Sequence, residues 1–161
     1  MTPEQLILQP VHERDDPFLL TVYGSTREQE LAQVPWTMEQ KQQFIRMQFE
    51  AQKTHYASEH PGAAHTLICL KGEAAGRLYL DRTGEEFHIL DITLLPQYRN
   101  DGAGSIVLGQ IMAEAQAAGK PVTIFVETFN PSLRLFKRLG FKAIREEGFH
   151  LLMRWSGDCS S

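Results

Sequence analysis

A strand, a glycine-containing turn and a helix follow one another directly after residue 86, and they constrain the fold more than any other segment. Residues 87–95 are mostly apolar, which is typical of a buried strand, and Pro96 ends the run. Gly102 and Gly104 then open a segment whose apolar positions recur at helical spacing. Glycine permits a positive φ, and the first amides of a helix have no partner within it. The segment therefore predicts a turn able to bind an anion, although a compact strand-to-helix turn without a ligand fits the same residues.

The rest of the chain alternates short strands and helices. Strand character recurs in residues 6–11, 64–70, 75–80, 87–95, 121–126, 141–144 and 149–155. Helical patterns cover residues 17–34, a segment from a capping box at Thr37 to about Ser58, residues 102–118, and a short segment that Asn130 caps with Pro131 at its first position. The order βααβββαβαββ predicts an α/β (α+β) fold with one central mixed, mostly antiparallel sheet flanked by helices. We expect a single domain over residues 1–155 and a disordered tail at 156–161.

The composition excludes several classes of protein. The 161 residues are 42% hydrophobic and 22% charged, which is unlike a disordered or fibrous chain. The net charge of −4 argues against a nucleic-acid partner, and no apolar run is long enough to predict a membrane span. The first residues lack a signal-peptide pattern, and Cys69 and Cys159 do not suggest a disulfide framework, so we expect a cytoplasmic protein. The histidine and cysteine spacing predicts no metal site.

A second motif follows the strand at residues 121–126. It runs Asn130-Pro131-Ser132-Leu133-Arg134-Leu135-Phe136-Lys137-Arg138-Leu139-Gly140-Phe141. With the turn Arg99-Asn100-Asp101-Gly102-Ala103-Gly104, it resembles the GNAT superfamily of acetyl-CoA-dependent N-acetyltransferases, over about residues 64–155. The turn resembles that family's Arg/Gln-x-x-Gly-x-Gly/Ala loop, and the second motif resembles its Asn…Leu-Tyr-x-x-Leu-Gly-Phe element. The resemblance implies a GNAT-like domain that uses acetyl-CoA as a co-substrate.

The resemblance also implies which residues contact the coenzyme. The amides of the turn would bind the pyrophosphate, and the backbone of the preceding strand would pair with the pantetheine arm. The implied contacts are Ile92, Leu94, Arg99, Asn100, Asp101, Gly102, Ala103, Gly104, Ser105, Asn130 and Phe136. Arg99 could instead only brace the turn, and Asn130 could serve only as a helix cap. Phe136 stands where the family usually has a tyrosine that protonates the leaving thiolate, and a phenyl ring has no such proton.

The catalytic roles that the resemblance implies fall on residues 88–94. His88 matches the position of the family's general base, and the Leu94 amide is the candidate oxyanion donor. Strand alternation predicts that His88, Leu90, Ile92 and Leu94 share one face, with Asp91 on the other. An imidazole with a pKa of about 6.5 can accept the amine proton directly or through water. A hydrogen-bonded histidine in a half-buried strand is the alternative.

The acceptor is expected to contact the two N-terminal helices and the turn at residues 146–150. Glu28, Glu30 and Trp36 could attract a cationic or aromatic amine, although solvated acids and a packing tryptophan fit equally. The predicted activity is acetyl transfer from acetyl-CoA to a primary amine of a small molecule or peptide by direct attack. A catalytically silent acyl-CoA-binding sensor or scaffold is the alternative, favoured by Phe136. The sequence allows a homodimer. The glycine pattern fits neither a dinucleotide-binding fold nor a P-loop.

Overall fold

Seven strands pair into one sheet among the described residues. The computed structural model describes residues 2–157, so Cys159 and most of the predicted tail lie outside the described residues. The strands are β1 (Leu6–Pro10), β2 (Ala64–Leu70), β3 (Glu73–Asp81), β4 (Phe87–Leu94), β5 (Val122–Glu127), β6 (Lys142–Glu147) and β7 (His150–Trp155). Their order across the sheet is β1-β2-β3-β4-β5-β7-β6, and only β4 and β5 pair in parallel. The predicted α/β class with a mostly antiparallel mixed sheet is confirmed.

Helices cover both faces of this sheet. They are α1 (Asp16–Ser25), α2 (Glu28–Ala32), α3 (Met38–Glu59), α4 (Ala103–Ala117) and α5 (Leu133–Arg138). The predicted capping box begins α3, because the Gln40 amide donates to Thr37 Oγ1 at 3.1 Å and the Thr37 amide donates to Gln40 Oε1 at 2.9 Å. No helix within residues 2–157 is long and apolar enough to cross a bilayer.

The two faces of the sheet bury different clusters. On one face, which we call the α4 face, Val107, Leu108 and Ile111 of α4 pack with strand residues that include Leu78, Leu80, Phe87, Ile89, Val122 and Ile124. On the opposite face, the α3 face, Leu19 and Tyr23 of α1 and Phe49 of α3 pack on Leu67 and Cys69 of β2. Each cluster removes apolar surface from water, which is the main favourable term in folding.

The single helix predicted for residues 17–34 is wrong, because two helices replace it. The hydroxyl of Ser25 donates to the Val22 carbonyl at 2.7 Å, and the hydroxyl of Thr26 donates to the Tyr23 carbonyl at 2.6 Å. Such local side-chain bonds satisfy the carbonyls of the last helical turn and compete with continuation of the helix. The chain therefore turns at residues 26 and 27 before α2 begins.

The predicted start of the short helix α5 is also corrected. Asn130 Oδ1 accepts from the Ser132 amide at 2.9 Å and from the Ser132 hydroxyl at 2.7 Å. This Asx turn holds Pro131 and Ser132 outside the helix, which begins at Leu133. Asn130 thus organises the turn that leads into α5 and is not its N-cap.

Candidate active site

The two parallel strands at the centre of the sheet separate shortly after they begin. Their pairing joins Phe87 to Val122, His88 to Thr123 and Ile89 to Ile124, and it stops there among the described residues. Beyond Ile89, β4 continues to Leu94 while β5 remains paired with β7 on its other side. Beyond Ile89, the edge of β4 that faces β5 therefore has no strand partner among the described residues, and a wedge-shaped gap opens between the two strands.

Backbone groups of β4 point into this gap. The Leu95 amide donates to Ala75 of β3 at 2.8 Å, so strand alternation directs the amides of Ile92 and Leu94 to the opposite edge. The Leu94 carbonyl lies on that edge too and accepts from Arg99 Nε at 2.9 Å. Arg99 therefore braces the turn after β4.

A β-bulge at Leu90 reverses the alternation of side chains along β4. Asp91 pairs with Tyr79 and Ile89 pairs with Leu80, so Leu90 is the additional residue on β4. Phe87 and Ile89 before the bulge, and Ile92 and Leu94 after it, all pack on the α4 face. The prediction that His88 shares a face with Ile92 and Leu94 is wrong, because one extra residue inverts a period of two.

His88 and Asp91 instead both lie on the α3 face. Asp91 Oδ2 accepts from Arg77 Nε at 2.6 Å, and Arg77, which is only 2% exposed, also donates to Gln52 of α3. Asp91 is therefore committed to an ion pair that joins β3, β4 and α3. The expectation that it points away from His88 is wrong for the same reason.

A cavity of about 230 Å³ lies where β4 and β5 separate on the α3 face. It is lined by His55, Tyr56, His60, His88, Ile89, Leu90 and Phe125. The Tyr56 hydroxyl donates to the carbonyl of the bulged Leu90 at 3.0 Å, which attaches the C-terminal half of α3 to the bulge. Burial, with the negative charge of Asp91, raises the pKa of Tyr56 to about 12, so this phenol remains a donor.

His88 is held by side chains from two directions. Its Nδ1 lies 2.8 Å from Thr123 Oγ1, and its ring stacks on His60 with 6.0 Å between centroids. Thr123 is 2% exposed and donates in turn to the carboxylate of Glu86. Burial lowers the pKa of His88 below its ordinary value, and the charge of Glu86 partly opposes that shift. His88 is therefore uncharged at neutral pH and able to accept a proton.

The neighbouring His60 has a carboxylate partner. His60 Nδ1 lies 2.8 Å from Asp81 Oδ2. Hydrogen bonds from the Thr83 hydroxyl and then from His60 lower the pKa of Asp81 to about 2, so its charge persists at neutral pH. An anionic group thus stands behind one wall of the cavity.

The predicted anion-binding turn has the backbone that its glycines suggested. Asn100 and Gly102 adopt positive φ angles of 64° and 83°, and Gly102 is the N-cap of α4. The first bond of the helix runs from the Ile106 amide to the Gly102 carbonyl at 3.1 Å, so the amides of Ala103, Gly104 and Ser105 precede it. Gly104 lies within the first helical turn, where a Cβ would meet only Leu135 at 3.6 Å.

Phe136 does not line the cavity. Its side chain is 2% exposed and packs edge-on against Phe141, with ring centroids 5.4 Å apart. The ring belongs to the core on the α4 face and is separate from the cavity beside His88, so its placement beside the coenzyme sulfur stays a prediction. Asn130, the other implied coenzyme contact in this motif, uses its side-chain oxygen for the Asx turn.

The two predicted acceptor residues, Trp36 and Glu30, do not line the cavity beside His88. Trp36 precedes α3 and packs on Phe44 at 5.3 Å, while the cavity uses the C-terminal end of the same helix. Twenty helical residues span about 30 Å, so Trp36 does not reach the cavity. Glu30 pairs with Arg27 at 2.9 Å. The turn at residues 146–150 is better placed, because Glu147 and His150 line a second cavity with Phe125.

Sequence reasoning missed four residues around His88. Tyr56, His60 and Phe125 line the cavity, and Thr123 contacts the His88 ring. A signal was present for Thr123, because a polar residue interrupts the apolar strand Val122–Glu127. His60 gave none, since it falls in a polar helix end where solvated residues are common.

The profile of the Acetyltransferase (GNAT) family matches residues 26–141, which is most of the chain. This chain therefore belongs to the GNAT family of acetyltransferases. A comparison with curated proteins finds no match.

Solved structures share the fold at low sequence identity. The PaiA N-acetyltransferase from Thermoplasma acidophilum, solved with coenzyme A, gives a TM-score of 0.71 at 14% identity, covering 97% of this chain and 99% of that one. A GCN5-related N-acetyltransferase from Rhodopseudomonas palustris gives 0.68 at 19% identity, with 97% and 98% covered. The ribosomal-protein-S18-alanine N-acetyltransferase from Escherichia coli gives 0.62 at 16% identity, with 94% and 93% covered.

Proposed function

We propose that this chain transfers an acetyl group from acetyl-CoA to a primary amine of a small molecule or a peptide, by direct attack of the amine. The observation that carries the proposal is the split between the parallel strands β4 and β5. The split opens beside His88 and continues along the free edge of β4 to the turn before α4. Membership of the family supports a coenzyme A thioester as the acyl donor.

The residues along the split fit coenzyme A. The unpaired amides of the first turn of α4 suit a pyrophosphate, and the positive φ of Gly102 turns the chain so that they are presented together. The amides of Ile92 and Leu94 offer donors to the amide groups of a pantetheine arm laid along β4. Acetyl-CoA supplies an acyl group activated as a thioester.

The distance between His88 and Leu94 along β4 decides which backbone amide can act together with the His88 base. Six residues of extended strand span about 20 Å, so the His88 ring cannot act on a carbonyl held at the Leu94 amide. The Ile92 amide is only four residues from His88, about 13 Å along the strand, and a side chain with one water covers much of that span. We therefore place the reacting centre near the Leu90 bulge, with the Ile92 amide as oxyanion donor and Leu94 holding the arm.

An amine in the cavity would meet His88 in the form that accepts a proton. The neutral imidazole takes the proton of the attacking nitrogen, directly or through water. The charge of Asp81 behind His60 favours a cationic amine on approach, and the aromatic lining of the cavity suits an apolar neighbour of that amine. No side-chain hydroxyl stands at position 136, so the thiolate would leave without a tyrosine acid.

The test is acetylation of a panel of primary amines by the purified chain. The panel covers monoamines, polyamines, aromatic amines and peptides with free lysine or N-terminal amines. Release of free thiol from acetyl-CoA and the mass of the product are both measured. We expect an acetylated product with at least one class. Saturable acetyl-CoA binding without product across the panel would contradict the proposal and favour the silent acyl-CoA-binding domain that the missing hydroxyl suggests.

The donor site has its own test. Gly102→Val places a β-branched residue at a φ of 83°, so the turn before α4 must change. We expect coenzyme A binding, measured by calorimetry, to weaken at least tenfold, or about 1.4 kcal/mol. The matched control is Gly109→Ala, also on α4, where a Cβ meets nothing within 4 Å. Equal affinity in a folded Gly102→Val chain would exclude the turn as the pyrophosphate site.

A further inference from the structure

Three side chains form a hydrogen-bonded series that ends at the cavity. Glu86 lies just before β4, and the register of the parallel strands sets His88 of β4 opposite Thr123 of β5. Thr123 Oγ1 donates to the Glu86 carboxylate, and His88 Nδ1 lies 2.8 Å from Thr123 Oγ1. Thr123 is almost fully buried at 2% exposure, so water does not compete for its hydroxyl.

The chemistry of this series determines where the protons lie. An ionised carboxylate can only accept, so the single proton of the Thr123 hydroxyl points to Glu86. The same hydroxyl oxygen can then only accept from His88, which requires the proton on Nδ1. In a neutral imidazole with its proton on Nδ1, Nε2 carries the lone pair.

We propose that Glu86 and Thr123 are positioning residues that hold His88 in the Nδ1–H tautomer, making Nε2 the atom that accepts the amine proton. This inference rests on the proposed function of His88 as the base. The proton passes from the acceptor nitrogen to Nε2, directly or through one water, and later leaves to solvent. While His88 is charged, its Nδ1–H bond to Thr123 persists, and the carboxylate of Glu86 beyond it offsets the positive charge.

The groups that face the His88 ring from each packed element define its electrostatic surroundings. Glu86 lies on its own segment, His60 follows α3, and Asp81 ends β3. His55 and Tyr56 face it across the cavity. Among these groups, Glu86 is the carboxylate that is connected to His88 Nδ1 through the Thr123 hydroxyl. Neutralising Glu86 therefore affects the proton on Nδ1 most directly.

The first experiment reads the tautomer in the intact chain without any substrate. Histidine ring nitrogens are labelled with ¹⁵N, and the His88 signals are assigned by their loss in His88→Gln. Above the pH at which His88 is charged, we expect a protonated Nδ1 and a bare Nε2. Thr123→Val removes the hydroxyl while keeping the shape, and we expect a mixture of tautomers. Thr123→Ser keeps the hydroxyl and should restore the wild-type pattern.

Two tautomer results would overturn the inference whatever the activity of the chain. One is a wild-type His88 protonated on Nε2, and the other is an unchanged tautomer in Thr123→Val. Failure of the proposed function gives a different result, which is no acetylated product from the wild-type chain while the tautomer still responds to Thr123. The two failures are therefore distinguishable.

The second experiment measures turnover in the same variants. We expect Thr123→Val to lower kcat at least about tenfold, with the KM for acetyl-CoA changed by less than about threefold, and Thr123→Ser to recover most of kcat. Glu86→Gln removes the charge that favours the imidazolium, so the ascending limb of the pH profile should move to lower pH. An unchanged kcat in Thr123→Val and an unmoved limb in Glu86→Gln would overturn the positioning role.

Discussion

At the scale of single residues, burial decides which groups around the cavity give protons and which accept them. Burial lowers the pKa of His88, whereas it raises the pKa of Tyr56 to about 12. The hydrogen bonds from Thr83 and His60 keep Asp81 charged, with a pKa of about 2. Near neutral pH the cavity therefore combines a neutral imidazole, a phenol that remains protonated and a carboxylate behind its wall. This combination suits removal of a proton from a cationic amine.

Replacement of His88 tests its role as the base. We expect His88→Ala to lower kcat/KM by about 100-fold or more, because proton transfer would fall to water, while coenzyme A affinity changes little. In the wild-type chain only the neutral ring acts, so activity should rise with pH through a pKa below 6.5. The pH profile of the variant should lack this ascending limb. An intact limb in His88→Ala would assign the titration to another group.

The buried Phe136 gives a prediction about stability. Phe136→Tyr would add a hydroxyl to a ring that is 2% exposed and packed against Phe141. A buried hydroxyl without a partner costs about 1–3 kcal/mol, so urea unfolding should show a lower stability. We expect no gain in turnover. A variant of unchanged stability with faster turnover would instead support the placement of the ring beside the coenzyme sulfur that the motif implies.

At the scale of elements, the bulge at Leu90 separates what the sequence could predict from what it could not. The strands, the helix α4 and the turn at Gly102 follow from apolar periodicity and from the φ that glycine permits. The bulge depends on the pairing of β4 with β3, a contact between residues distant in sequence. Strand alternation therefore put His88 on the same face as Ile92 and Leu94 and on the face opposite Asp91, and both relations are wrong. His88, the candidate base, nevertheless lines the cavity.

Long-range packing also decides which residues line the cavity beside His88. Trp36 and Glu30 were grouped with the acceptor site because charge and aromaticity are visible in a sequence, whereas the direction of a long helix is not. α3 carries its C-terminal end, with Tyr56 and His60, to the cavity and leaves Trp36 at the other end. The contact of Thr123 with His88 could not be predicted from the sequence, because it depends on the register between two parallel strands.

The close approach of β3 to β4 near the C-terminal end of β4 gives a prediction for Gly76. A Cβ at this position would overlap the Thr93 carbonyl oxygen and lie 2.9 Å from the Leu94 Cα, so the strands must move apart. We expect Gly76→Ala to destabilise the fold by about 1–3 kcal/mol in urea unfolding. Gly109→Ala is the matched control, because the exposed helical site has space for a methyl group and should gain about 0.5–1 kcal/mol.

Displacement of β4 should also disturb the free edge that is proposed to hold the pantetheine arm. At a temperature where Gly76→Ala is still folded, we expect weaker coenzyme A binding than in Gly109→Ala. Equal stability of the Gly76 variant and the wild-type chain would show that the two strands tolerate the separation. The contact between β3 and β4 would then not control the shape of the split.

At the scale of the whole molecule, the sheet separates the two halves of the proposed reaction. The turn before α4 and the apolar side chains of Ile92 and Leu94 lie with the α4 face, whereas His88 and the cavity lie on the α3 face. The split between β4 and β5 connects the two sides. Donor and acceptor would therefore approach the reacting centre from opposite faces, which allows either one to bind first.

The stability of the molecule is expected to fall in mild acid because of His65 on β2. Its ring stacks on Tyr79 with centroids 4.2 Å apart, and burial, aided by the charge of Arg77, lowers its pKa from 6.5 to about 4. The unfolded chain binds a proton at this residue below pH 6.5, whereas the folded chain does so only near pH 4. Stability should therefore decrease as the pH falls between these values.

His65→Phe keeps an aromatic ring on Tyr79 and removes the titration. Urea unfolding at about pH 8 gives the packing difference alone, and the wild type should lose stability relative to the variant as the pH falls from there. A constant difference over the whole range would show that His65 does not couple folding to protons.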